Sequence, residues 1–317
     1  MKNSWLIYLL VLGLYLPCKA AKHYIRADAP AGGDGTDWER AWQQLPEDLV
    51  RGDTFYIADG YYPGYTFDDA EVGSLYIWIL KATLEAHGTD IGWDDSYGDG
   101  QATWPGWNIS KGRYIFDGIT GQGAQGDSYG FHLTPDSCNF SSTYILAQFG
   151  TAPNCSYVEF RHIFFEGCGN TDPVCSYGIK SNSYQGYNVG SVIAHNLFYG
   201  HAVHLVLYHW RETLVEYNFF DANWSSANCH GEQVTFGNSS DEVIYRYNIH
   251  RNSATGGLGM HHNDNKNWQV YGNIFYGGHV TMGVIGCADS LISSIILLKT
   301  AWLFMISLIV IRAYSDS

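Results

Sequence analysis

A short motif recurs along the second half of this 317-residue chain: an apolar strand-like segment, a polar residue, and two mostly apolar residues. Five segments align without gaps when the polar residue is His162, Asn196, Asn218, Asn248 or Asn273. The intervals between these residues are 34, 22, 30 and 25 positions, so the motif is constant while the connections vary in length. This combination predicts a solenoid with loops of variable length, because propellers and helical repeats keep a fixed period.

Parallel coils suit the motif best. Neighbouring strands lie about 4.8 Å apart, so Asn side chains at the same bend can hydrogen-bond from coil to coil; an Asn that only favours the turn is the alternative. We therefore predict an all-β, right-handed parallel β-helix. Further strand-like runs at 53–60, 75–81 and 113–118 precede the repeat, and the amphipathic segment 38–50 predicts a short helix that caps the first coil.

Composition and charge narrow the class of partner. The chain has 36 Gly and 24 Tyr but only 15% charged residues, which is typical of turn-rich β structure. Its formal net charge of −14 repels nucleic acids and anionic lipid surfaces at long range, so we expect no nucleic-acid partner. An acidic polysaccharide would need a bound cation or a local basic patch where it docks.

The two ends of the chain differ from its middle. Residues 1–20 predict a signal peptide cleaved after Ala20, with lipid attachment at Cys18 as the alternative. Residues 21–286 form the predicted β-helix domain. In the tail, 287–317, the segment 291–311 is almost continuously apolar, which indicates either a membrane anchor or an aberrant gene end.

Export would place the six cysteines after residue 20 in an oxidising compartment. Cys168 and Cys175 are the expected disulfide, because the loop between them is short and rich in turn residues. We therefore expect a secreted or cell-surface protein, which contacts a membrane only if the tail is a genuine anchor.

Three segments near the start carry a family resemblance: residues 23–28 (HYIRAD), 34–38 (DGTDW) and 52–62 (GDTFYIADGYY). Together with the Asn-anchored coils, they resemble pectate-lyase-like right-handed β-helix proteins over roughly residues 22–286. That superfamily includes polysaccharide lyases, glycoside hydrolases, epimerases and non-catalytic surface proteins. The resemblance therefore implies the fold and leaves the activity open.

Ionisable residues concentrate on the strand that follows each Asn bend. If these strands stack, Lys180, His204, Glu232 and either His261 or His262 line one outer face, although a slip of one residue would reverse a side chain. A lyase that acts on a uronic acid needs a base for the C5 proton and positive charge over the carboxylate. The candidate catalytic residues are Lys180, His204, His230 and Glu232, and the candidate substrate-binding residues are Arg211, Arg246, His261 and His262.

Each of these residues also has a structural interpretation. Single histidines in a solenoid are more often structural, and the aligned coils place Arg246 over Glu216, where an ion pair would form. The acidic residues Asp94, Asp95 and Asp99 are a candidate Ca²⁺ site, with a solvated turn as the alternative.

The sequence thus predicts an extracellular carbohydrate-active protein, and the leading hypothesis is a polysaccharide lyase or related enzyme that acts on an acidic polysaccharide. A glycoside hydrolase would require two carboxyl groups about 5–9.5 Å apart, and no convincing pair can be recognised. The alternative from another class is a non-catalytic β-helix that binds glycans at the cell surface.

Overall fold

Strands dominate the computed structural model of the chain. It describes residues 20–139, 142–150, 155–169, 174–181, 186–226, 229, 231–237, 239–261, 265–279, 282–284, 287–288, 291–293, 295–299 and 302–304. The strands form three sheets, and consecutive coils contribute neighbouring strands to each sheet. Within the described residues, every strand pairing is parallel except the last, between residues 297–299 and 302–304. The chain is therefore a parallel β-helix.

Each coil passes through sheets A, B and C in turn. Sheet A contains β1 (Lys22–Ile25), β2 (Thr54–Ile57), β5 (Ile77–Lys81), β8 (Tyr114–Asp117), β11 (Glu159–Arg161), β14 (Asn188–Val189), β15 (Val192–Ala194), β18 (Trp210–Glu216), β21 (Asp241–Arg246), β24 (Asn265–Lys266), β25 (Gln269–Tyr271), β28 (Cys287–Ala288) and β29 (Leu291–Ser293). Sheet B contains β3 (Gly60–Tyr61), β6 (Ala102–Trp104), β9 (Phe131–Leu133), β12 (Ile163–Glu166), β16 (Leu197–Tyr199), β19 (Phe219–Asp221), β22 (Ile249–Ser253), β26 (Ile274–Gly278), β30 (Ile296–Lys299) and β31 (Trp302–Phe304). Sheet C contains β4 (Tyr65–Phe67), β7 (Trp107–Ile109), β10 (Tyr144–Phe149), β13 (Ser176–Ser181), β17 (Val203–Tyr208), β20 (Glu232–Gly237), β23 (Gly256–His261) and β27 (Met282–Val284).

A ladder of buried asparagines lies at the bend between sheets A and B and fixes the register of the stacked coils. The Asn196 side-chain nitrogen donates to Asn218 Oδ1 at 3.0 Å, Asn218 donates to Asn248 Oδ1 at 3.0 Å, and Asn248 donates to Asn273 Oδ1 at 3.1 Å. The backbone N–H of each donor residue reaches the same oxygen. All four side chains are at most 1% exposed, so these bonds satisfy groups that water cannot reach. The predicted Asn ladder is confirmed.

The alignment of the first repeat is off by one residue. Glu159 pairs with Val192 and Arg161 with Ala194, which places Ile163, and not His162, at the level of Asn196. The Ile163 backbone N–H donates to Asn196 Oδ1 at 3.0 Å, so the ladder begins on a main-chain group. His162 instead lies on the outside and hydrogen-bonds Asp117 Oδ1 through Nδ1 at 2.7 Å.

The predicted cap over the first coil exists, but it is not helical. Trp38, Ala41, Leu45 and Leu49 are buried as the amphipathic pattern requires. Trp42, however, forms a parallel bridge with Ile25: its N–H donates to Tyr24 O and its carbonyl accepts from Arg26 N. These groups cover the edge of β1 and are unavailable to a helix, so the prediction of a helix over 38–50 is wrong. Two short 3₁₀ helices, Asp95–Tyr97 and Gly126–Ser128, lie wholly within the described residues.

Strand pairing continues beyond residue 286. β28 pairs with β24, β29 with β25, and β30 with β26, all in parallel register. The described part of the apolar tail therefore stacks on the preceding coil. The predicted signal peptide, apart from Ala20, and residues 305–317 lie outside the described residues. Within the described ranges, no helix has the length and apolar character needed to cross a membrane.

Two disulfides link the loops, with a pairing that differs from the expected one. Cys138 bonds to Cys168 and Cys175 to Cys229, so the prediction of a Cys168–Cys175 bond is wrong. Sequence separation misled here, because residues 30 and 54 positions apart become neighbours when coils stack. Cys155 is a free, buried thiol whose pKa burial raises to about 11.

A stack of rings fills the interior beside sheet B, and one of its members is a histidine. Phe165, Phe198, Phe220, His250 and Phe275 follow one another with ring centroids 4.3–5.1 Å apart. The Tyr245 hydroxyl lies 2.6 Å from His250 Nε2, and His250 Nδ1 lies 2.9 Å from Gln233 Oε1. Because Gln233 donates its own amide N–H to Arg251 O, its oxygen must accept, which assigns the proton of His250 to Nδ1. The interior therefore holds this imidazole neutral.

Loss of one ladder side chain should destabilise the whole stack. Asn218→Ala removes the amide that accepts two N–H bonds from Asn196 and donates to Ile193 O and Asn248 Oδ1. We expect the free energy of unfolding to fall by about 3 kcal/mol, because buried partners are left unsatisfied. Urea denaturation checks this. Asn108→Ala, at an exposed Asn of β7, is the matched control and should change stability by less than about 0.5 kcal/mol. Equal losses in both variants would contradict a structural role of the ladder.

Buried histidines should make the fold acid-sensitive. Burial lowers the pKa of His201 and of His250 to about 3 each, whereas an unfolded histidine titrates near 6.5. Below pH ~6.5 the unfolded chain binds more protons, so stability falls by up to about 1.4 kcal/mol per pH unit for each such histidine. Urea midpoints at pH 7.5 and 5.5 measure this slope. His250→Phe, which continues the Phe stack, should flatten it, and an unchanged slope would show that His250 does not contribute.

Candidate functional site

The outer face of sheet C carries the candidate site. One in-register row of that sheet runs from Thr66 through Asn108, Gln148 and Lys180 to Val206 and Thr235. Its first four side chains are exposed or half-buried, and the last two are buried. The neighbouring positions in each strand, such as Ile179 and Leu205, are fully buried. Because successive strands lie about 4.8 Å apart, this row presents a polar side chain at each step of the helix axis up to Lys180.

Lys180 is the cationic member of that row. Its Nζ lies 4.0 Å from the centroid of the Tyr177 ring, in cation–π contact. Lys180 forms no ion pair with any carboxylate of the described residues. Burial lowers its pKa from the ordinary lysine value, and burial of the Tyr177 ring raises the pKa of that phenol. The result is a half-buried ammonium whose charge is not neutralised by the described chain.

His204 does not share this face. It is fully buried, and its ring lies between interior rings, with centroids 6.1 Å from those of both Phe198 and Phe220. Burial, together with the nearby His201 and His250, lowers its pKa well below the ordinary value. The expectation that His204 lies beside Lys180 on the outer face is therefore corrected: it is an interior residue.

Of the two remaining predicted catalytic residues, the structure describes Glu232 but not His230. Glu232 begins β20 and is half-buried, opposite Gly256. In β20, two strands away from Lys180, the residue in the same row is Thr235. Glu232 lies three residues before Thr235, so the Cα atoms of Lys180 and Glu232 are on the order of 14 Å apart. Lys180 and Glu232 could thus contact one glycan chain but not each other. His230 lies outside the described residues.

The predicted substrate-binding arginines lie on sheet A, away from Lys180. Arg246 Nη2 lies 2.7 Å from Glu216 Oε2, and its Nη1 donates to Tyr271 Oη at 2.9 Å. The alternative interpretation of Arg246, a ladder ion pair with Glu216, is confirmed. Arg211 stacks on Tyr187 at 4.0 Å and lies 3.6 Å from Asp241. Both guanidinium groups therefore already have carboxylate partners.

One histidine of the predicted substrate-binding set, His261, lies at the far end of sheet C. His261 ends β23 opposite Gly237, and His262 lies outside the described residues.

The acidic segment predicted as a Ca²⁺ site forms a local turn. Asp94 Oδ1 accepts hydrogen bonds from the backbone and hydroxyl of Ser96, and Asp95 Oδ1 accepts from Trp93 Nε1 at 3.1 Å. Asp99 is exposed and interacts with Asp59. Among the residues that the structure describes, no group of three or more His, Cys, Asp or Glu side chains is arranged to hold a metal ion. The solvated-turn interpretation accounts for these contacts.

A second lysine, Lys81, lines a pocket and was not predicted as a site residue from the sequence. Lys81 ends β5 and is 1% exposed, and its Nζ lies 2.5 Å from Asp59 Oδ1. It lines a pocket of about 360 Å³ between the loops that follow β5 and β8. Nothing in the segment 77–81 distinguishes Lys81 from an outward-facing lysine at a strand end. Because Asp59 neutralises it, this pocket offers a paired cation, in contrast to Lys180.

Tyr177 was also missed as a neighbour of Lys180. In a regular strand, residues three apart point to opposite faces, so the spacing argued against contact. The one available signal is Gly178, which interrupts the strand pattern between them.

Comparisons with known proteins support the fold. No protein-family profile and no curated protein matches the chain. A solved pectate lyase, Pel9A, superposes with a TM-score of 0.51 at 12% identity, over 90% of this chain and 79% of that one. A mannuronic acid-specific family 6 polysaccharide lyase from human gut microbiota (TM-score 0.29, 12% identity, 80% and 82% covered) and the GH136 lacto-N-biosidase of Eubacterium ramulus (0.30, 12%, 88% and 68%) are weaker matches. By its fold, this chain is a parallel β-helix protein.

Proposed function

We propose that this chain is an extracellular carbohydrate-active protein that cleaves an acidic polysaccharide by β-elimination at the outer face of sheet C. The observation that carries the proposal is Lys180: a half-buried ammonium with no carboxylate partner among the described residues, in a row of outward-facing polar side chains. The chain as a whole repels polyanions, so such a substrate is repelled least where a row of side chains carries no carboxylate, as the row of Lys180 with Asn108, Gln148 and Val206 does.

The chemistry follows from the state of Lys180. Burial lowers its pKa, which increases the fraction of neutral amine near neutral pH and so suits Lys180 to accept the C5 proton of a uronate. As the C5 proton passes to Lys180, the C4=C5 double bond forms, the glycosidic C4–O bond breaks and the leaving oxygen takes a proton from solvent. The ammonium that forms lies close to the negative charge that develops on the substrate and stabilises it. Asn108 and Gln148, in register with Lys180, supply amide groups for hydrogen bonds to sugar hydroxyls. Glu232 is proposed to contact a more distant sugar unit, and His230, which lies outside the described residues, stays a prediction.

An extracellular location accords with the two disulfides, since such bonds persist in oxidising compartments. The non-catalytic, glycan-binding alternative also has a specific observation in its favour. His204 is interior and both predicted arginines are held in ion pairs, which leaves few ionisable groups beside Lys180 for chemistry.

Replacement of Lys180 tests the proposal. Purified protein is incubated with a panel of uronate polymers, with and without Ca²⁺, and unsaturated products are followed by their absorbance. Lys180→Met should lower kcat/KM by at least about 100-fold, because a general base contributes on that scale. Lys266→Met, at an exposed lysine of sheet A that faces Asp241, is the matched control and should retain activity.

In the wild type, kcat/KM should rise as pH increases through a value below the ordinary lysine pKa, as the amine of Lys180 loses its proton. Binding of polymers without any unsaturated product would select the non-catalytic alternative. Full activity in Lys180→Met would remove Lys180 from the site.

A further inference from the structure

The strand that carries Lys180 departs from regular alternation at one glycine. Ile179 is fully buried in the core, as its place in β13 requires. A Cβ on Gly178 would also point inward, since it would lie 2.9 Å from Phe198 Cδ1 and 2.7 Å from His204 O. Two consecutive residues therefore face the interior, and only glycine fits at the first of them. The strand is kinked at this point.

The kink changes which side chains share the outer face. On a regular strand, Tyr177 would point to the face opposite Lys180. With Gly178 and Ile179 both turned inward, the half-buried side chains on either side of them emerge together, and Lys180 Nζ lies 4.0 Å from the centroid of the Tyr177 ring. The contact is thus a product of the backbone and not of a flexible side chain that happens to fold back.

We propose that Tyr177 is a positioning residue for Lys180, holding its Nζ against the ring and stabilising the ammonium that forms when Lys180 accepts the C5 proton. The inference rests on the proposed function of Lys180. It adds to that function an explanation of how Lys180 is held on the outer face of sheet C without a carboxylate partner among the described residues.

An aromatic ring suits this task better than a carboxylate would. The ring attracts a cation through its quadrupole and carries no net charge, so it does not compete for the ammonium with an incoming substrate carboxylate. Burial raises the pKa of the Tyr177 phenol, which keeps the ring neutral across the working pH range. Arg246 shows the contrast, since its guanidinium is bound by the Glu216 carboxylate and is unavailable to a ligand.

The test measures the titration of Lys180 directly and needs no substrate. Lysines are dimethylated with ¹³C reagent, which preserves their charge, and the Lys180 signal is assigned by its absence in Lys180→Arg. Tyr177→Leu should lower the pKa of Lys180 by about half a unit, because the charged form loses its cation–π contact. Tyr177→Phe retains the ring and should leave the pKa unchanged. Tyr199→Leu, at an exposed tyrosine of sheet B, is the matched control and should also leave it unchanged.

A second measurement on the wild type keeps the proposal testable if Tyr177→Leu fails to fold. The N-methyl signals of Lys180 should be shifted upfield by the ring current of Tyr177 and should show nuclear Overhauser contacts to its ring protons. A Lys180 pKa unaffected by Tyr177→Leu, or methyl signals without these contacts, would overturn the positioning role. The lyase activity is tested separately, by the absorbance of unsaturated products. If Lys180 titrates as expected but no polymer yields such products, the positioning role is supported and the lyase activity is refuted. Failure of the positioning role and failure of the proposed function are therefore distinguishable.

Discussion

The hydrogen bonds between stacked asparagines are the constraint on which the rest of this structure depends. Each buried amide of the ladder accepts from the preceding coil and donates to a main-chain oxygen, and the first three also donate to the next amide oxygen, so a shift of one residue would leave several groups unsatisfied at once. Loops of different length can therefore be inserted between coils without altering the register of the sheets. That register decides which side chains face water, because one step along a strand exchanges the two faces.

This constraint explains why the fold could be predicted from the sequence and where the prediction was wrong. Asn196, Asn218, Asn248 and Asn273 form a recognisable motif because an amide accepts on its oxygen and offers two N–H donors on its nitrogen, which suits it to a buried bend. At the first repeat the ladder ends on a backbone N–H, Ile163 stands at the level of Asn196, and His162 is a polar residue one position too early. The cap at 38–50 was misassigned for a related reason. Its burial pattern suits a helix, but the edge of β1 requires backbone partners, which Trp42 supplies.

The candidate site was harder to predict, since it depends on a local departure from alternation. Lys180 was placed correctly on the outer face of sheet C, because its neighbours alternate as expected from Ile179 onward. The position of His204 could not be predicted, because it lies one residue before the regularly alternating part of β17. Its side chain points toward Phe198 and Phe220 and not toward water. The contact between Lys180 and Tyr177 depends on the same irregularity in β13. Hydrophobic patterning alone therefore identifies the face but not all of its members.

The distribution of charge partners distinguishes the outer face of sheet A from that of sheet C. On sheet A, stacking places Arg246 beside Glu216, and Arg211 lies near Asp241, so the cations of that face are neutralised by in-register carboxylates. On sheet C, the positions in register with Lys180 are occupied by Gln148 and Val206, neither of which can neutralise it. A stacked coil cannot easily move a side chain to a new neighbour, so a lysine in a row without carboxylates stays available to a ligand. The rigidity that the asparagine ladder imposes is thus also what makes an unpaired lysine a persistent feature of this face.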